Sequence, residues 1–373
     1  MIPVNQPLIT KQDAIAVFKS VKSGWISSAG PQIQLFENKF KKTIGKKYCS
    51  LVANGTAALE IAIKALNLKK NDEVIIPNFT IISNVFAVIK QGLKPVLIDC
   101  DLETWNMKIN DVEKAITKKT KAIIAVHIYG YPLDMERLLK ISRRKKIFLI
   151  EDAAEMIGNK FKKNYCGFYG DVSTFSFYAN KHITTGEGGA ILTNSKNLYN
   201  KIEELKNLCF GKINRYDHTD LGWNYRFTNM QAALGLSQLS RLKSIINKKI
   251  EIGKIYYENL KNNKNFYIQK PRLGIYKNIY WVVGLLIKNK KFTANIIRKK
   301  LKKAGIETRA FFWPMHKQTV LKKLNLKFNK KFPNSEYLSK YGFYLPSGIG
   351  IKKMQVKKVC TEINKIFYNN HNV

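Results

Sequence analysis

The stretch Ser173-Thr174-Phe175-Ser176-Phe177-Tyr178-Ala179-Asn180-Lys181-His182-Ile183-Thr184-Thr185-Gly186-Glu187-Gly188-Gly189 opens on alternating hydroxyl and aromatic residues, breaks into an amide and a lysine, and closes on a glycine-rich turn. The alternation predicts a strand over Ser173–Phe177, and the apolar run Ala190–Leu192 predicts another beyond the turn. In parallel α/β sheets, ligands collect outside the carboxyl ends of the strands. Ser176, Asn180 and Lys181 are therefore candidate site residues by position. Most lysines are surface solubilisers; Lys181 stands apart because it sits at a strand end, flanked by Ser176 and Asn180.

Upstream, apolar runs at Cys49–Ala53, Glu73–Ile76, Pro95–Ile98, Ala122–His127 and Ile147–Ile150 predict five more strands. Helical patterns lie between most of them, at Ala57–Leu66, Ile82–Gln91, Asn110–Ile116 and Asp134–Ser142. Such alternation predicts an α/β domain whose mixed, mainly parallel sheet is sandwiched by helices. Downstream the pattern changes. Asn229–Leu260 reads as one long helix capped by Thr228. After Lys270-Pro271 come strands at Tyr280–Lys288 and Gly305–Ala310, a helix at Ala294–Ala304 and a last helix at Lys353–Tyr368. The expected division is a large α/β domain, residues 1–244, and a small C-terminal α+β domain, residues 245–373, hinged on the long helix. There are no internal repeats.

Hydrophobic residues make up 45% and aromatics 12% of the 373 residues, enough for a packed core and against intrinsic disorder. No N-terminal apolar stretch resembles a signal peptide, and no apolar run approaches the ~18 residues of a membrane span, so a soluble, cytoplasmic protein is expected. Five scattered cysteines without a C-x-x-C pair support neither a disulfide framework nor a zinc site. Lys plus Arg number 65 against 26 acidic residues, a formal charge of +39. The cations are overwhelmingly lysines spread along the chain, whereas nucleic-acid readers favour arginine and interleaved aromatics on one surface. A solvated, lysine-rich surface is the expectation, with no nucleic-acid or membrane partner. A nucleic-acid-binding regulator is the non-enzymatic alternative.

Two further motifs follow predicted strands. Asn54-Gly55-Thr56-Ala57-Ala58 opens a helix, and its small residues and free N–H groups would seat a phosphate as readily as form an ordinary turn. Glu151-Asp152-Ala153-Ala154-Glu155 could bind metal, receive a proton or cap a helix, and by itself it reads as a cap. Taken with Lys181, these pieces match what a pyridoxal phosphate (PLP) enzyme needs: a lysine to carry the cofactor, an acid for the pyridine nitrogen and a helix N-terminus for the phosphate.

In combination the motifs resemble the sugar-nucleotide aminotransferases of the DegT/StrS type, which are PLP enzymes of the aspartate-aminotransferase fold (fold type I). The resemblance spans nearly the whole chain. It starts at Ser23-Gly24-Trp25-Ile26-Ser27 and takes in Asn54–Leu59, Pro77-Asn78-Phe79-Thr80, Val126-His127-Ile128-Tyr129-Gly130 and Glu151–Glu155. It continues through Asn180-Lys181 with Thr184–Gly189 to Asn224-Tyr225-Arg226-Phe227-Thr228-Asn229. Phe311–His316 and Tyr344-Leu345-Pro346-Ser347-Gly348 look like the branch that aminates C4 of a nucleotide-linked 4-keto-6-deoxyhexose, GDP-linked sugars being favoured. A 3-keto sugar nucleotide, a dTDP-4-keto sugar or another ketone stays open.

The resemblance implies roles residue by residue. Lys181 carries PLP and shuttles a proton, Asp152 keeps the pyridine nitrogen protonated, and Glu155 contacts the O3′ side of the cofactor. Gly55, Thr56 and Ser176 bind its phosphate, with Asn224 contributed by the neighbouring subunit, so a homodimer with shared sites and an L-glutamate amino donor are implied. Arg309, Trp313 and His316 are expected to hold the nucleotide sugar, and no metal is expected. Sister dehydratases carry histidine where the cofactor lysine stands; here Lys181 holds that register and His182 follows it. Two positions depart from the family pattern: Ile81, where an aromatic usually stacks on PLP, and Ile157, where a histidine is usual.

Overall fold

The computed structural model describes residues 1–368. Its central sheet contains β1 (Tyr48–Val52), β2 (Glu73–Pro77), β3 (Lys94–Ile98), β4 (Thr120–Val126) and β5 (Phe148–Asp152). A two-stranded hairpin follows, β6 (Lys160–Phe161) with β7 (Asn164–Tyr165), and then β8 (Val172–Ser176) and β9 (Gly189–Thr193) complete the sheet. The strand order is β1-β9-β8-β5-β4-β2-β3, and only β9 runs against the others. The strands are nearly continuous apolar runs because both faces are covered. Val74 and Ile76 join the core on one face and Ile75 that on the other; Ile124 and Ile123 divide the same way. A smaller core packs Val52 and Ile191 against Ala58, Ile61 and Ala62.

The helices of this half are α1 (Lys11–Lys22), α2 (Pro31–Ile44), α3 (Gly55–Ala65), α4 (Ser83–Ile89), α5 (Ile109–Ala115), α6 (Met135–Lys145), α7 (Lys196–Lys206) and α8 (Asn229–Ser240). Helix α8 begins with a reciprocal capping box between Thr228 and Gln231. The single helix expected over Asn229–Leu260 is instead two. Arg241, at φ −105° and ψ 9°, separates α8 from α9 (Leu242–Leu260), and its guanidinium reaches the buried carboxylate of Asp13 on α1. That ion pair ties the break to α1, a tertiary contact to which the hydrophobic period of the sequence is blind. The boundary drawn at 244/245 falls within α9.

Beyond α9, strands β10 (Phe266–Ile268), a β11–β12 hairpin (Arg272–Leu273 with Tyr276–Lys277), β13 (Val283–Ile287), β14 (Arg309–Ala310) and β15 (Gly342–Leu345) alternate with helices. The helices are α10 (Ala294–Lys303), α11 (Thr319–Lys323), α12 (Pro333–Tyr341) and α13 (Lys353–Tyr368). The second sheet is antiparallel, in the order β10-β13-β15-β14. Two expected strands are shorter than the apolar runs suggested. Tyr280 adopts φ 50°, so β13 starts after it. Ile306 and Glu307 pair with the chain's start at Ile2, which leaves only Arg309–Ala310 for the sheet. Among the described residues no helix is long and apolar enough to cross a membrane. All five cysteines are buried free thiols: Cys100 and Cys360 in one core, Cys49 and Cys166 in the second, and Cys209 in the small third one.

Candidate active site

A cavity of about 690 Å³ opens where the carboxyl ends of β5 and β8 meet the start of α3 and the second sheet. At α3, the side chain of Asn54 accepts a hydrogen bond from Ala57 N at 2.8 Å, which fixes the first turn. The N–H groups of Gly55 and Thr56 have no acceptor among the described residues. Gly55 stands against Ser176, and a Cβ there would lie 2.9 Å from Ser176 Cβ. The glycine thus leaves space between a helix N-terminus and a serine hydroxyl, the setting a phosphate group fits. Thr56 Oγ1 and Ser83 Oγ are 2.9 Å apart on the same rim.

Asp152 ends β5 and is buried. No helix follows it, so the cap expected from the sequence is not there. One oxygen accepts from Ala154 N at 3.1 Å and the other from Asn84 Nδ2 at 3.2 Å. Burial pushes its carboxyl above the ordinary aspartate range. Glu155 accepts from Tyr129 N at 2.7 Å, and burial pushes it up to about 8 against the pull of Lys181. Lys181 is lowered by burial, with Glu155 and Asp152 opposing the shift. The three groups line the cavity together with Thr174, whose buried Oγ1 has no partner among the described residues. A buried acid, a half-buried lysine, a phosphate-sized cradle and an unpartnered hydroxyl suit PLP.

The opposite wall carries Arg309, Phe312 and Tyr344. Tyr344 hydrogen-bonds Arg309, and burial raises its phenol. Phe312 N donates to Tyr129 Oη at 3.2 Å, while Met315 N and His316 N both donate to Asn78. The loop is thereby pinned to the Pro77–Thr80 motif. Three predicted residues lie outside the cavity lining. The ring nitrogens of His316 are each 3.1 Å from a protein oxygen, Asn78 Oδ1 and Glu336 Oε1, so its hydrogen-bonding capacity is already taken. Trp313 is 55% exposed and donates to Lys317 O. Asn224 is exposed and accepts from Arg226 Nε at 2.8 Å. Ile81 does line the cavity, 43% exposed, whereas Ile157 is fully buried in the core.

The motifs did not point to Asn84, Trp281 or Tyr344 individually. Asn84 lies just past the Pro77–Thr80 motif, and Tyr344 falls inside the Tyr344–Gly348 motif, where it belongs to β15. Trp281 comes from an apolar run whose sequence carries no sign of the cavity. As an arrangement, the site pairs a protonatable amine with two carboxyl groups in a secluded cleft, next to an anion seat and a basic, aromatic wall.

A model of the DegT/DnrJ/EryC1/StrS aminotransferase family matches residues 7–364. The chain is 40% identical to a GDP-perosamine synthase of Escherichia coli O157:H7, over 98% of both chains. It is 37% identical to that of Vibrio cholerae, over 98% of this chain and 99% of the relative. Among solved structures, Helicobacter pylori PseC, an aminotransferase involved in the biosynthesis of pseudoaminic acid, shares the fold with a TM-score of 0.92, 24% identity and 99% coverage of each chain.

Proposed function

This chain belongs to the DegT/DnrJ/EryC1/StrS aminotransferase family, and from that membership we propose that it moves an amino group from L-glutamate to C4 of a GDP-linked 4-keto-6-deoxyhexose, as a cytoplasmic step toward an amino-deoxysugar of a surface polysaccharide such as O-antigen lipopolysaccharide. The observation that carries this reading is the full-length similarity to GDP-perosamine synthases. Lys181 and Asp152 at the floor of a cleft walled by Arg309 and Tyr344 support it.

PLP supplies an electron sink for the charge left on carbon when a proton is removed. The chain's residues do the rest. Lys181 Nζ would hold the cofactor and, once released from it, would be the base that takes and returns the proton. Asp152, steadied by Asn84, would hold the ring nitrogen through a charge-assisted bond. Gly55, Thr56 and Ser176 seat the phosphate, and Glu155 orients the O3′ side. Arg309 meets the substrate diphosphate beside the apolar face of Phe312. Residues 1–244 form the cofactor-binding unit, and the small unit 245–373, its last five residues outside the described ones, contributes Arg309, Phe312 and Tyr344 to the cavity. Asn224, exposed on this chain, would serve the site of a second copy, which makes the working unit a homodimer. Exposed Phe18, Val21 and Trp25, on and just after α1, support this, because apolar surface of that kind needs cover.

The test incubates the protein with glutamate and GDP-, dTDP- and UDP-4-keto-6-deoxy sugars and reads product masses. Amination of only a 3-keto sugar or a non-nucleotide ketone overturns the substrate assignment. Borohydride reduction followed by peptide mapping should fix the cofactor on Lys181; capture on another lysine overturns the site.

A further inference from the structure

Trp281 has no part in the roles above, yet the surrounding chain holds it in one place. Its ring centroid lies 3.8 Å from Lys181 Nζ, and its Nε1 donates to Asn180 O at 2.9 Å. One side chain therefore touches both the amine and the backbone beside it. Behind the indole, Lys249 Nζ donates to the carbonyls of Trp281 at 2.9 Å and Ser347 at 2.5 Å. Lys249 is buried with no carboxylate in ion-pair range among the described residues, and burial brings its amine down to about 7. The preceding Tyr280 sits at φ 50°, its N–H donating to Asn278 Oδ1 at 2.7 Å. Gly130, the last residue of the Val126–Gly130 motif, backs directly onto this segment; a Cβ there would stand 2.6 Å from Tyr280 N and 3.0 Å from Trp281 N. A left-handed tyrosine and a buried lysine without a counterion are each unfavourable by themselves. Both converge on the residue that faces Lys181.

We propose that Trp281 is a positioning residue for Lys181, its indole face being the resting place of the amine whenever that amine is not bonded to the cofactor. This rests on Lys181 as the cofactor-carrying lysine. A π face stabilises an ammonium without offering a lone pair for its proton, whereas a close pair with Asp152 or Glu155 would compete for it. Among the described residues, no carboxylate lies within ion-pair distance of Lys181 Nζ, consistent with the amine being parked on the ring. The charged and titratable groups around it are Asp152 and Glu155 from the segment after β5, His182 beside it, Lys249 behind Trp281, and Arg309 and Tyr344 across the cavity. All of them persist when only the indole is changed.

The experiment titrates Lys181 in cofactor-free protein by trace acetylation with acetic anhydride across pH, reading the Lys181 peptide by mass spectrometry. Loss of the π face destabilises the ammonium, so Trp281→Leu should lower the midpoint by roughly one pH unit. Trp281→Phe, which keeps a weaker face, should lower it by less. An unchanged or higher midpoint in Trp281→Leu, or equal shifts in both variants, overturns the proposal. If the leucine variant does not fold, an unshifted Trp281→Phe overturns it instead. Borohydride mapping on loaded protein tests the underlying reading separately. Lys181 captured there with no indole effect here would sink the Trp281 role alone.

Discussion

Glu155 shows how burial makes a single residue sensitive to pH. Its carboxyl is pushed up to about 8, so between the unfolded carboxylate range and that value the folded chain keeps a proton that the unfolded chain releases. That contribution to stability is present at low pH and fades as pH rises through the window; Asp152, raised in the same direction, adds to it. Lys181 has the opposite sign, because its lowered pKa favours the unfolded chain below the ordinary lysine value. Lys249 and His182, both lowered by burial, act in that opposite sense as well, so the effect of Glu155 is read as a difference: between about pH 5 and pH 8 the melting temperature of cofactor-free wild type should fall relative to that of Glu155→Gln. Identical slopes in wild type and variant would mean that Glu155 ionises normally in the folded state.

At the scale of elements, the turn into α3 sets two effects of Gly55 against each other. Alanine at the first helical position gains helix propensity over glycine, up to about 1 kcal/mol, but its Cβ would stand 2.9 Å from Ser176 Cβ and fill the cradle. Gly55→Ala is expected to lower the melting temperature of cofactor-free protein, the forced contact with Ser176 outweighing the helix propensity gained, and to weaken PLP binding by at least about tenfold, near 1.4 kcal/mol, measured by fluorescence titration. Unchanged affinity would remove Gly55 from the phosphate site. Elements of this kind were legible in the sequence because strand alternation, glycine turns and the Thr228 cap are local signals. What lay out of reach was set by distant partners. The α8–α9 break depends on Asp13, the shortening of β14 depends on Ile2, and the occupied ring of His316 depends on Asn78 and Glu336. Helices α1 and α2 carry a weak sequence signal for another reason: side chains such as Phe18 and Leu35 are apolar yet face outward, which blurs an amphipathic pattern. Within the candidate site, Lys181, Asp152, Glu155, Ser176, Gly55, Thr56 and Arg309 line one cavity, whereas Asn224, Trp313 and His316 lie outside its lining.

For the whole molecule, charge and apolar surface pull in opposite directions. Each copy carries +39, so two copies repel over distances that salt shortens. The exposed face of Ile15, Phe18, Val21 and Trp25 favours association. Sedimentation should therefore show a dimer whose share increases from low salt to about 0.15 M, and Phe18→Lys should shift it to monomer with unchanged circular dichroism. A variant that remains dimeric would place the interface elsewhere. A nucleic-acid regulator would behave in the reverse sense, its duplex binding collapsing over the same salt range.

The burial of every thiol turns the molecule into its own clock. No sulfur is reachable by a bulky aromatic disulfide in the closed state, and burial also holds each thiol in its unreactive protonated form. Each label then dates the opening of one core. Cys209 belongs to the smallest, beside an exposed loop with Ile213 and Leu221 at its surface, so in rising urea it should be modified first. Cys166, under the central sheet, should wait for global unfolding. Pulsed labelling resolved by mass spectrometry reads the order, and Cys166 reacting ahead of Cys209 would show that the sheet, not its margin, is the weakest seam.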